Sequence, residues 1–213
     1  ASISPVASTS AILGVSRAGN RIVAVGDHGV ILLSDDGVTF RQAKQVPVSS
    51  GLTSVSFVDE RNGWAAGHWG VVLHTADGGD TWTLQRVDTS VDRPIFSIHF
   101  WNTNDGVAVG LWSLILRTKD AGKTWVPIKP VSPPELQKTE INLFSIFGTA
   151  PNDLFVAGER GYVLRSFDGG ETWNYANVGV KASLWAGAQN HLGDIFVGGL
   201  RGAFLHSTDK GRT

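Results

Sequence analysis

One eight-residue stretch recurs along this chain. It is spelled TADGGDTW at residues 75–82, TKDAGKTW at 118–125 and SFDGGETW at 166–173. A shorter form, SDDGVTF, occupies 34–40, and a further copy begins at Ser207. A stretch repeated at intervals of roughly 40–50 residues indicates that the chain is built from copies of one supersecondary unit.

Each copy of this stretch, called a box below, lies near the end of a longer repeated unit. An alternating apolar stretch such as LTSVSF (52–57) is followed by a polar turn, a second strand that ends in glycine, and a third strand that runs into the box. Units of about this length with four short strands are typical of propeller blades, and no window shows helical spacing. We therefore predict an all-β β-propeller of four-stranded blades with five visible repeats. The repeated glycines are Gly26, Gly67, Gly110, Gly158 and Gly199, spaced by 41, 43, 48 and 41 residues.

The repeats are expected to form a single domain over 1–213. We place them at 9–50, 51–92, 93–138, 139–180 and 181–213, so that the last unit stops inside its box. Two explanations are open. The chain is a fragment of a longer propeller, or residues 1–8 supply the missing outer strand and close a five-bladed ring, which would remove an exposed edge.

The box residues are expected to be structural. The Asp accepts hydrogen bonds from its own turn, the Gly two residues later supplies a positive φ, the Thr begins the last strand, and the Trp buries its ring between blades. A metal site is the alternative, but each box offers one carboxylate, so no metal is predicted. In the first box, Asp35 and Asp36 are both possible equivalents. The residues given this role are Asp36, Asp77, Gly79, Thr81, Trp82, Asp120, Gly122, Thr124, Trp125, Asp168, Gly170, Thr172, Trp173 and Asp209.

The turn after each repeated glycine is the candidate binding surface. In a propeller these turns lie on one face, opposite the boxes, and they carry aromatic and Arg side chains where Asn, Asp or Ser would suffice. The bland alternative is five solvated turns that differ by drift. The long segment VPIKPVSPPELQKTE (126–140) is expected to form a proline-stiffened arm on the same face. The predicted partner-binding residues are His28, His68, Trp69, Trp112, Arg160 and Arg201.

Bulk composition excludes several classes of protein. Eighteen basic and nineteen acidic residues leave a net charge of −1, so no nucleic-acid partner is expected. The chain has no Cys, which excludes disulfides, and no phosphate-binding glycine loop, so no cofactor is predicted. It starts with ASISPVAS rather than Met, which fits removal of a signal peptide and export; trimming of the sequence is the plainer alternative.

The pattern S/T-x-D-x-G-x-T-W is the Asp-box, or bacterial neuraminidase repeat. Sialidases, xyloglucan-cleaving glycoside hydrolases and photosystem II stability/assembly factors share it. The stretch VSFVDERNGWAAGHWGVVLHTADGGDTW (55–82) most resembles the last family. This resemblance implies an exported, non-catalytic scaffold, in the periplasm, the thylakoid lumen or outside the cell, that binds a subunit of a membrane complex. It also implies about seven blades, whereas five boxes are visible here.

The sequence lacks the catalytic residues that a sialidase or another glycosidase requires. A sialidase needs a tyrosine nucleophile, but Tyr162 and Tyr175 are predicted on third and fourth strands. A glycosidase needs two carboxyl groups across a cleft, and no spacing pairs the acids near the turns (Asp88, Asp92, Glu135 and Glu140). No catalytic residue is therefore predicted. The alternative function is a carbohydrate-binding or glycoside-hydrolase-type Asp-box propeller in which Trp69 and Trp112 stack on sugar rings.

Overall fold

The computed structural model describes residues 3–4, 7–149 and 151–212. Within these residues the chain forms nineteen short strands and no α-helix, so the predicted all-β class is confirmed. The chain divides into two compact units, one of residues 1–106 with 118–124 and one of 107–117 with 125–213. The only helical pieces in the described residues are 3₁₀ turns, at Ala7–Thr9, Asp27–Gly29, His68–Gly70, Pro134–Leu136, Glu159–Gly161 and Leu200–Gly202.

The first unit contains two four-stranded sheets and one further strand. In both sheets, strands adjacent in sequence pair antiparallel, which gives the simple up-and-down order of a propeller blade. The first sheet comprises β1 (Ile12–Ala18), β2 (Arg21–Gly26), β3 (Ile31–Ser34) and β4 (Arg41–Gln42). The second comprises β5 (Leu52–Phe57), β6 (Gly63–Gly67), β7 (Val72–Thr75) and β8 (Thr83–Arg86), and β9 spans Ile95–Phe100.

The second unit holds the remaining strands in the same order. Most of β10 (Gly106–Gly110) and β11 (Ile115–Thr118) belongs to it, together with β12 (Val126–Pro127). A four-stranded sheet follows, made of β13 (Leu143–Thr149), β14 (Asp153–Gly158), β15 (Tyr162–Ser166) and β16 (Asn174–Asn177). The three-stranded sheet contains β17 (Leu184–Gln189), β18 (Ile195–Gly199) and β19 (Phe204–Ser207).

A bulge recurs near the start of the first strand of four repeats. In β5 the register with β6 shifts between Leu52 and Ser54, and the equivalent shift is found in β1, β13 and β17. The bulge brings the chain before the strand close to the repeated glycine. A Cβ on Gly67 would overlap the carbonyl oxygen of Gly51, and the same clash would arise at Gly26 and Gly199. Close backbone approach therefore explains these glycines, whose φ values are extended.

Side chains of one repeat satisfy backbone donors of the next. In the first unit the Ser54 and Ser56 hydroxyls each accept a hydrogen bond at 3.1 Å, from the backbone N–H of Ile98 and Phe100 respectively. The Trp64 ring stacks on Phe100, with ring centroids 3.6 Å apart, and its N–H donates to the Ala121 carbonyl at 3.0 Å. Contacts of this kind join neighbouring repeats, as repeat proteins require.

The second box shows how the predicted turn is built. The Asp77 carboxylate accepts hydrogen bonds from the Thr81 backbone N–H at 2.9 Å and the Thr81 hydroxyl at 2.6 Å. The Thr75 hydroxyl donates to Asp77 and accepts from the Gly79 N–H. Gly79 has φ +92°, and the Trp82 ring N–H donates to its carbonyl at 2.8 Å. These bonds occupy the carboxylate within its own turn.

The other boxes repeat this geometry. Asp120 and Asp168 accept from the backbone N–H of Thr124 and Thr172 at 2.9 and 3.0 Å, and Asp209 accepts from Arg212 at 2.9 Å. The glycine two residues after the Asp has a positive φ in each of these boxes, as predicted: +81° at Gly122 and at Gly170, and +70° at Gly211.

The first box resolves the ambiguity between its two acids. Asp36 accepts from the backbone N–H of Val38 and Thr39 at 2.8 and 2.7 Å, so it takes the Asp-box position. Asp35 instead forms an ion pair with Arg21 at 2.6 Å.

Two expectations about the box need correction. Trp82 and Trp173 are fully buried, but Trp125 is only half-buried. The threonines do not start the fourth strands, which begin after the tryptophan position at Thr83, Val126 and Asn174, because Thr81, Thr124 and Thr172 are engaged with the box aspartate.

The structure bears only partly on the segment proposed to close a ring. Residues 1, 2, 5 and 6 of the 1–8 segment lie outside the described residues. The backbone N–H of Ser4 donates to the Gln42 side chain at 2.9 Å, and Ala7 packs with Ala24, Val30 and Leu32. The closing strand stays a prediction.

Candidate partner-binding turns

The turns after the repeated glycines share one backbone geometry. Their second residue lies in the left-handed region: φ is +58° at His28, +59° at Trp69, +53° at Trp112, +58° at Arg160 and +60° at Arg201. In the second repeat the turn is closed by the Val71 N–H, which donates to the His68 carbonyl at 3.2 Å. Bulky residues are rare in this region because Cβ crowds the backbone. The chain thus places a large side chain in a costly conformation five times, which is the kind of outlier that accompanies function.

Each of these side chains is exposed. Trp69 and Trp112 are each 44% exposed although they are among the largest apolar residues of the chain. His28, His68, Arg160 and Arg201 are exposed as well. The predicted site residues therefore all reach solvent from rigid turns.

In the first unit, the His68 and Trp69 turn is held by the segment that enters the next repeat. The Asp92 carboxylate accepts from the Trp69 backbone N–H at 2.7 Å and lies 3.0 Å from Nδ1 of His68. Burial alone would raise the pKa of Asp92, but the His68 ring and the Trp69 N–H outweigh it and lower that pKa. The Asp88 backbone N–H also donates to the Trp69 carbonyl at 2.7 Å. The Asp27–Gly29 turn of the first repeat lies close by, because a Cβ built on Gly51 would be 3.4 Å from both the Asp27 carboxylate and the His68 ring.

In the second unit, an amide takes the place of Asp92. The Asn142 side-chain oxygen accepts from the Trp112 backbone N–H at 3.2 Å. The backbone and side-chain N–H groups of Asn142 donate to the Glu159 carboxylate at 2.8 and 3.1 Å. Glu159 is the first residue of the turn that carries Arg160. The Trp112 and Arg160 turns are therefore linked through one asparagine, and the Leu200 N–H anchors the Arg201 turn on the Ser183 carbonyl at 2.8 Å.

The sequence did not single out Asp92, Asn142 and Glu159 as the residues that position these turns. From its position in the sequence, Asp92 is a candidate only for a catalytic acid. For Asp92 and Asn142 the available signal is an acid or amide shortly before the first strand of the next repeat, a position typical of residues that cap backbone N–H groups.

Three of the four acids near the turns, Asp88, Asp92 and Glu135, have structural partners. Asp88 accepts from the hydroxyl and backbone N–H of Ser90 at 2.6 and 3.0 Å, and Asp92 is paired with His68. Glu135 accepts from the Tyr162 hydroxyl at 2.9 Å. Tyr162 and Tyr175 lie on β15 and β16, the third and fourth strands of their sheet, as predicted.

Over the described ranges, no group of three or more His, Asp or Glu side chains is arranged to hold a metal ion. The predicted proline-stiffened arm is not free. Leu136 is buried, and the Val131 N–H donates to the Trp173 carbonyl at 2.9 Å, so the segment packs on its own unit. The free energy gained by burying Leu136 favours this packing over an extended arm in solvent.

Comparison with known proteins agrees with the repeat pattern. Residues 34–134 match the family model described as photosynthesis system II assembly factor YCF48, and residues 164–175 match that of the BNR/Asp-box repeat. No sequence among the curated proteins matches the chain. The resemblance to the photosystem II assembly factor family, predicted from the repeats, is confirmed.

Solved structures of low sequence identity share the fold. The structure of YCF48 bound to D1 peptide aligns with a TM-score of 0.71 at 21% identity, covering 93% of this chain and 65% of that one. YCF48 from Cyanidioschyzon merolae aligns with a TM-score of 0.64 at 16% identity, covering 93% and 71%. An ancestral GH74 enzyme aligns with a TM-score of 0.62 at 12% identity, covering 93% and 31%. The chain therefore spans about two thirds of the YCF48 chains, and its sheets are blades of a β-propeller.

A search of the described residues for a helix that is long and apolar enough to cross a membrane finds none.

Proposed function

We propose that this chain is a non-catalytic protein-binding scaffold that resembles an assembly or stability factor for a membrane protein complex. The observation that carries the proposal is the left-handed conformation of five bulky residues, His28, Trp69, Trp112, Arg160 and Arg201. A turn that served only to connect two strands would place Gly or Asn there at no cost. Large side chains held in this conformation and exposed to solvent favour a role in contacting a partner.

The chemistry of these side chains suits a protein segment. Trp and Arg are the residue types that most often dominate protein–protein binding energy. Turns tied by backbone hydrogen bonds present them with little loss of conformational entropy on binding. YCF48 is the protein seen with a D1 peptide, and by that resemblance the partner proposed here is a peptide segment of a membrane-complex subunit.

Binding of a fluorescent D1 peptide to the purified chain tests this proposal. The variants are Trp69→Asn, Trp112→Asn, Arg160→Asn and Arg201→Asn, since Asn adopts the left-handed region readily and preserves the turn. We expect each to weaken binding by roughly tenfold or more. Matched controls are Val38→Asn and Leu192→Asn, which are 84% and 74% exposed elsewhere in the two units.

Unchanged affinity in all four turn variants, or no binding of the peptide by the parent chain, would contradict the proposal. A glycan array run beside it tests the alternative function. Binding of a glycan that is lost on Trp69→Asn and Trp112→Asn would support a carbohydrate-binding propeller instead.

The proposal extends to an exported location, in the periplasm, the thylakoid lumen or outside the cell. The resemblance to photosystem II assembly factors supports it. Fractionation of the source cells is the test: recovery of the protein with cytosolic markers would contradict export.

A further inference from the structure

In the turn of the third repeat, two consecutive residues lie in the left-handed region. Trp112 has φ +53° and Ser113 has φ +54°. A serine there has a Cβ that crowds the backbone, whereas a glycine would adopt the same conformation at no such cost. The other four repeats have glycine at this position, each with a positive φ: Gly29 at +69°, Gly70 at +54°, Gly161 at +75° and Gly202 at +75°.

The Ser113 side chain holds the segment that enters the fourth repeat. Its hydroxyl accepts a hydrogen bond from the Ile141 backbone N–H at 3.1 Å and donates to the Ile141 carbonyl at 3.3 Å. The Ser113 backbone N–H donates to the same carbonyl at 2.7 Å. Because Ile141 is fully buried, removal of the hydroxyl would take an acceptor from an N–H that lies away from solvent.

The next residue, Asn142, holds the Trp112 backbone. Its side-chain oxygen accepts from the Trp112 N–H at 3.2 Å. Trp112 and Ser113 are therefore bound to two residues, Ile141 and Asn142, that are also consecutive in sequence. Since Asn142 directly follows Ile141, a hydroxyl that fixes Ile141 also fixes the place from which the Asn142 side chain reaches Trp112. All four residues belong to the second unit.

In two other repeats the space beside the equivalent glycine is already occupied. A Cβ on Gly70 would overlap the guanidinium of Arg86, and one on Gly161 would overlap the Val180 carbonyl oxygen. In the third repeat this space admits a side chain, and the Ser113 hydroxyl uses it to reach Ile141. The serine therefore adds contacts to the neighbouring segment that a glycine could not make.

We propose that Ser113 is a positioning residue for partner binding. By holding Ile141, and through it Asn142, it fixes the Trp112 backbone so that the exposed indole ring meets the partner in one orientation. The inference rests on the proposed function, because it concerns how the Trp112 turn binds. A turn that is fixed beforehand loses less conformational entropy when the partner docks, and a strained residue is retained where it serves such preorganisation.

Amide hydrogen exchange tests the positioning without any partner. Ser113→Gly removes the hydroxyl and leaves a residue that adopts a positive φ freely. We expect the Ile141 and Trp112 amides to exchange about three- to tenfold faster in this variant, as loss of a hydrogen bond predicts. The Trp69 amide, which Asp92 holds in the first unit, should exchange as in the parent. Faster exchange at Ile141 with no change at Trp112 would overturn the proposal, because Ser113 would then serve Ile141 alone.

Affinity for the fluorescent peptide described above shows whether the fixed turn serves binding. We expect Ser113→Gly to weaken binding about three- to tenfold, the effect of releasing an ordered side chain. In the Trp112→Asn background the same change should have little further effect, because Ser113 acts through Trp112. In the Trp69→Asn background the full loss should remain. An equal loss in the Trp112→Asn background and in the parent, or no loss in the parent, would count against the proposal.

Gly37→Ser is the control for lost stability. It places a serine at φ +75° in the first box, where the Cβ would make an ordinary contact with Ile22 at 3.8 Å. We expect this variant to unfold at a lower temperature than the parent and to bind the peptide with the parent affinity. A merely structural Ser113 would resemble this control, with a changed unfolding midpoint and an unchanged affinity.

Failure of this inference is distinguishable from failure of the proposed function. If the parent binds the peptide and Ser113→Gly binds equally well, the scaffold function stands and the positioning role is wrong. If the parent does not bind the peptide, the proposed function fails, whereas faster exchange at Trp112 in Ser113→Gly still supports the hold of Ser113 on the turn.

Discussion

Gly199 and Gly198 are neighbours at the end of β18, yet their surroundings differ sharply. A Cβ on Gly199 would overlap the Ser183 carbonyl oxygen, whereas one on Gly198 would meet nothing within 4 Å. We expect Gly199→Ala to destabilise the protein by about 1–3 kcal/mol, since backbone must move to admit the methyl group. Gly198→Ala is the matched control and should be neutral or stabilising by roughly 0.5 kcal/mol. Denaturant unfolding of both variants decides the matter, and equal stabilities would contradict the close-approach explanation.

Arg201 illustrates the conformational cost of the candidate partner-binding turns. Its φ of +60° is unfavourable for any residue with a Cβ and most unfavourable for a β-branched one. We expect Arg201→Asn to match or exceed the parent stability, and Arg201→Val to lose about 1–2 kcal/mol. Urea unfolding midpoints of the three proteins measure this. If the valine variant were as stable as the asparagine variant, the turn would not hold the left-handed conformation in solution.

At the scale of the element, the Asp-box makes stability depend on pH. The backbone N–H groups of Val38 and Thr39 lower the pKa of Asp36 to about 2, from 3.8. Hydrogen bonds from Thr124 likewise lower the pKa of Asp120. Because these folded-state pKa values lie below the unfolded ones, the carboxylates stabilise the fold above pH ~4. That contribution is lost as pH falls toward 2.

The variant Asp36→Asn isolates this effect, because it keeps an acceptor oxygen and removes the charge. We expect the parent to unfold at a higher temperature than the variant at pH 5, and the difference to shrink as the pH is lowered to 2.5. Glu60→Gln, an exposed acid outside the boxes, is the control. A difference in midpoint that stays constant across this range would show that the Asp36 charge does not stabilise the turn.

The box also shows what a repeat pattern can predict. The roles of Asp77 and Gly79 follow from their types and spacing, because a tight turn needs an acceptor and a positive φ at fixed places. The half-burial of Trp125 cannot be predicted in this way, because Trp125 and Trp82 occupy the same position of the same box pattern. Burial depends on which side chains the neighbouring sheet presents, and those lie about 40 residues away in sequence. The bulge near Leu52 is not predictable from the sequence either, because the alternation of apolar residues does not reveal an extra residue in a strand.

At the scale of the whole molecule, the number and order of sheets could be predicted from five glycines and five boxes. The packing of residues 126–140 could not be predicted, because proline content indicates stiffness but not that Leu136 becomes buried. Likewise, the candidate residues were found from an unusual composition at one repeated position, while Asp92 and Asn142 act through contacts between repeats. Local periodicity specifies the element, and contacts distant in sequence specify the site.

The candidate partner-binding residues differ in charge between the two units, although each unit has one tryptophan among them, and this leads to a final prediction. His28, His68 and Trp69 lie in the first unit, whereas both arginines, Arg160 and Arg201, lie in the second. With a net charge of −1 the long-range field of the chain is weak, so we expect electrostatic attraction of a partner to come from local charges such as these two arginines. We therefore expect the salt dependence of D1-peptide binding to reside in the second unit.

Association rates of the peptide should reveal this between about 50 mM and about 500 mM NaCl, a range over which exposed charges become screened. Arg160→Gln with Arg201→Gln should slow association at low salt and flatten the salt dependence. Trp69→Asn should instead speed dissociation and leave the slope as in the parent, because it removes contact area rather than charge. Equal slopes in the two variants would mean that the arginines do not face the partner, and binding would then rest on the tryptophan turns alone.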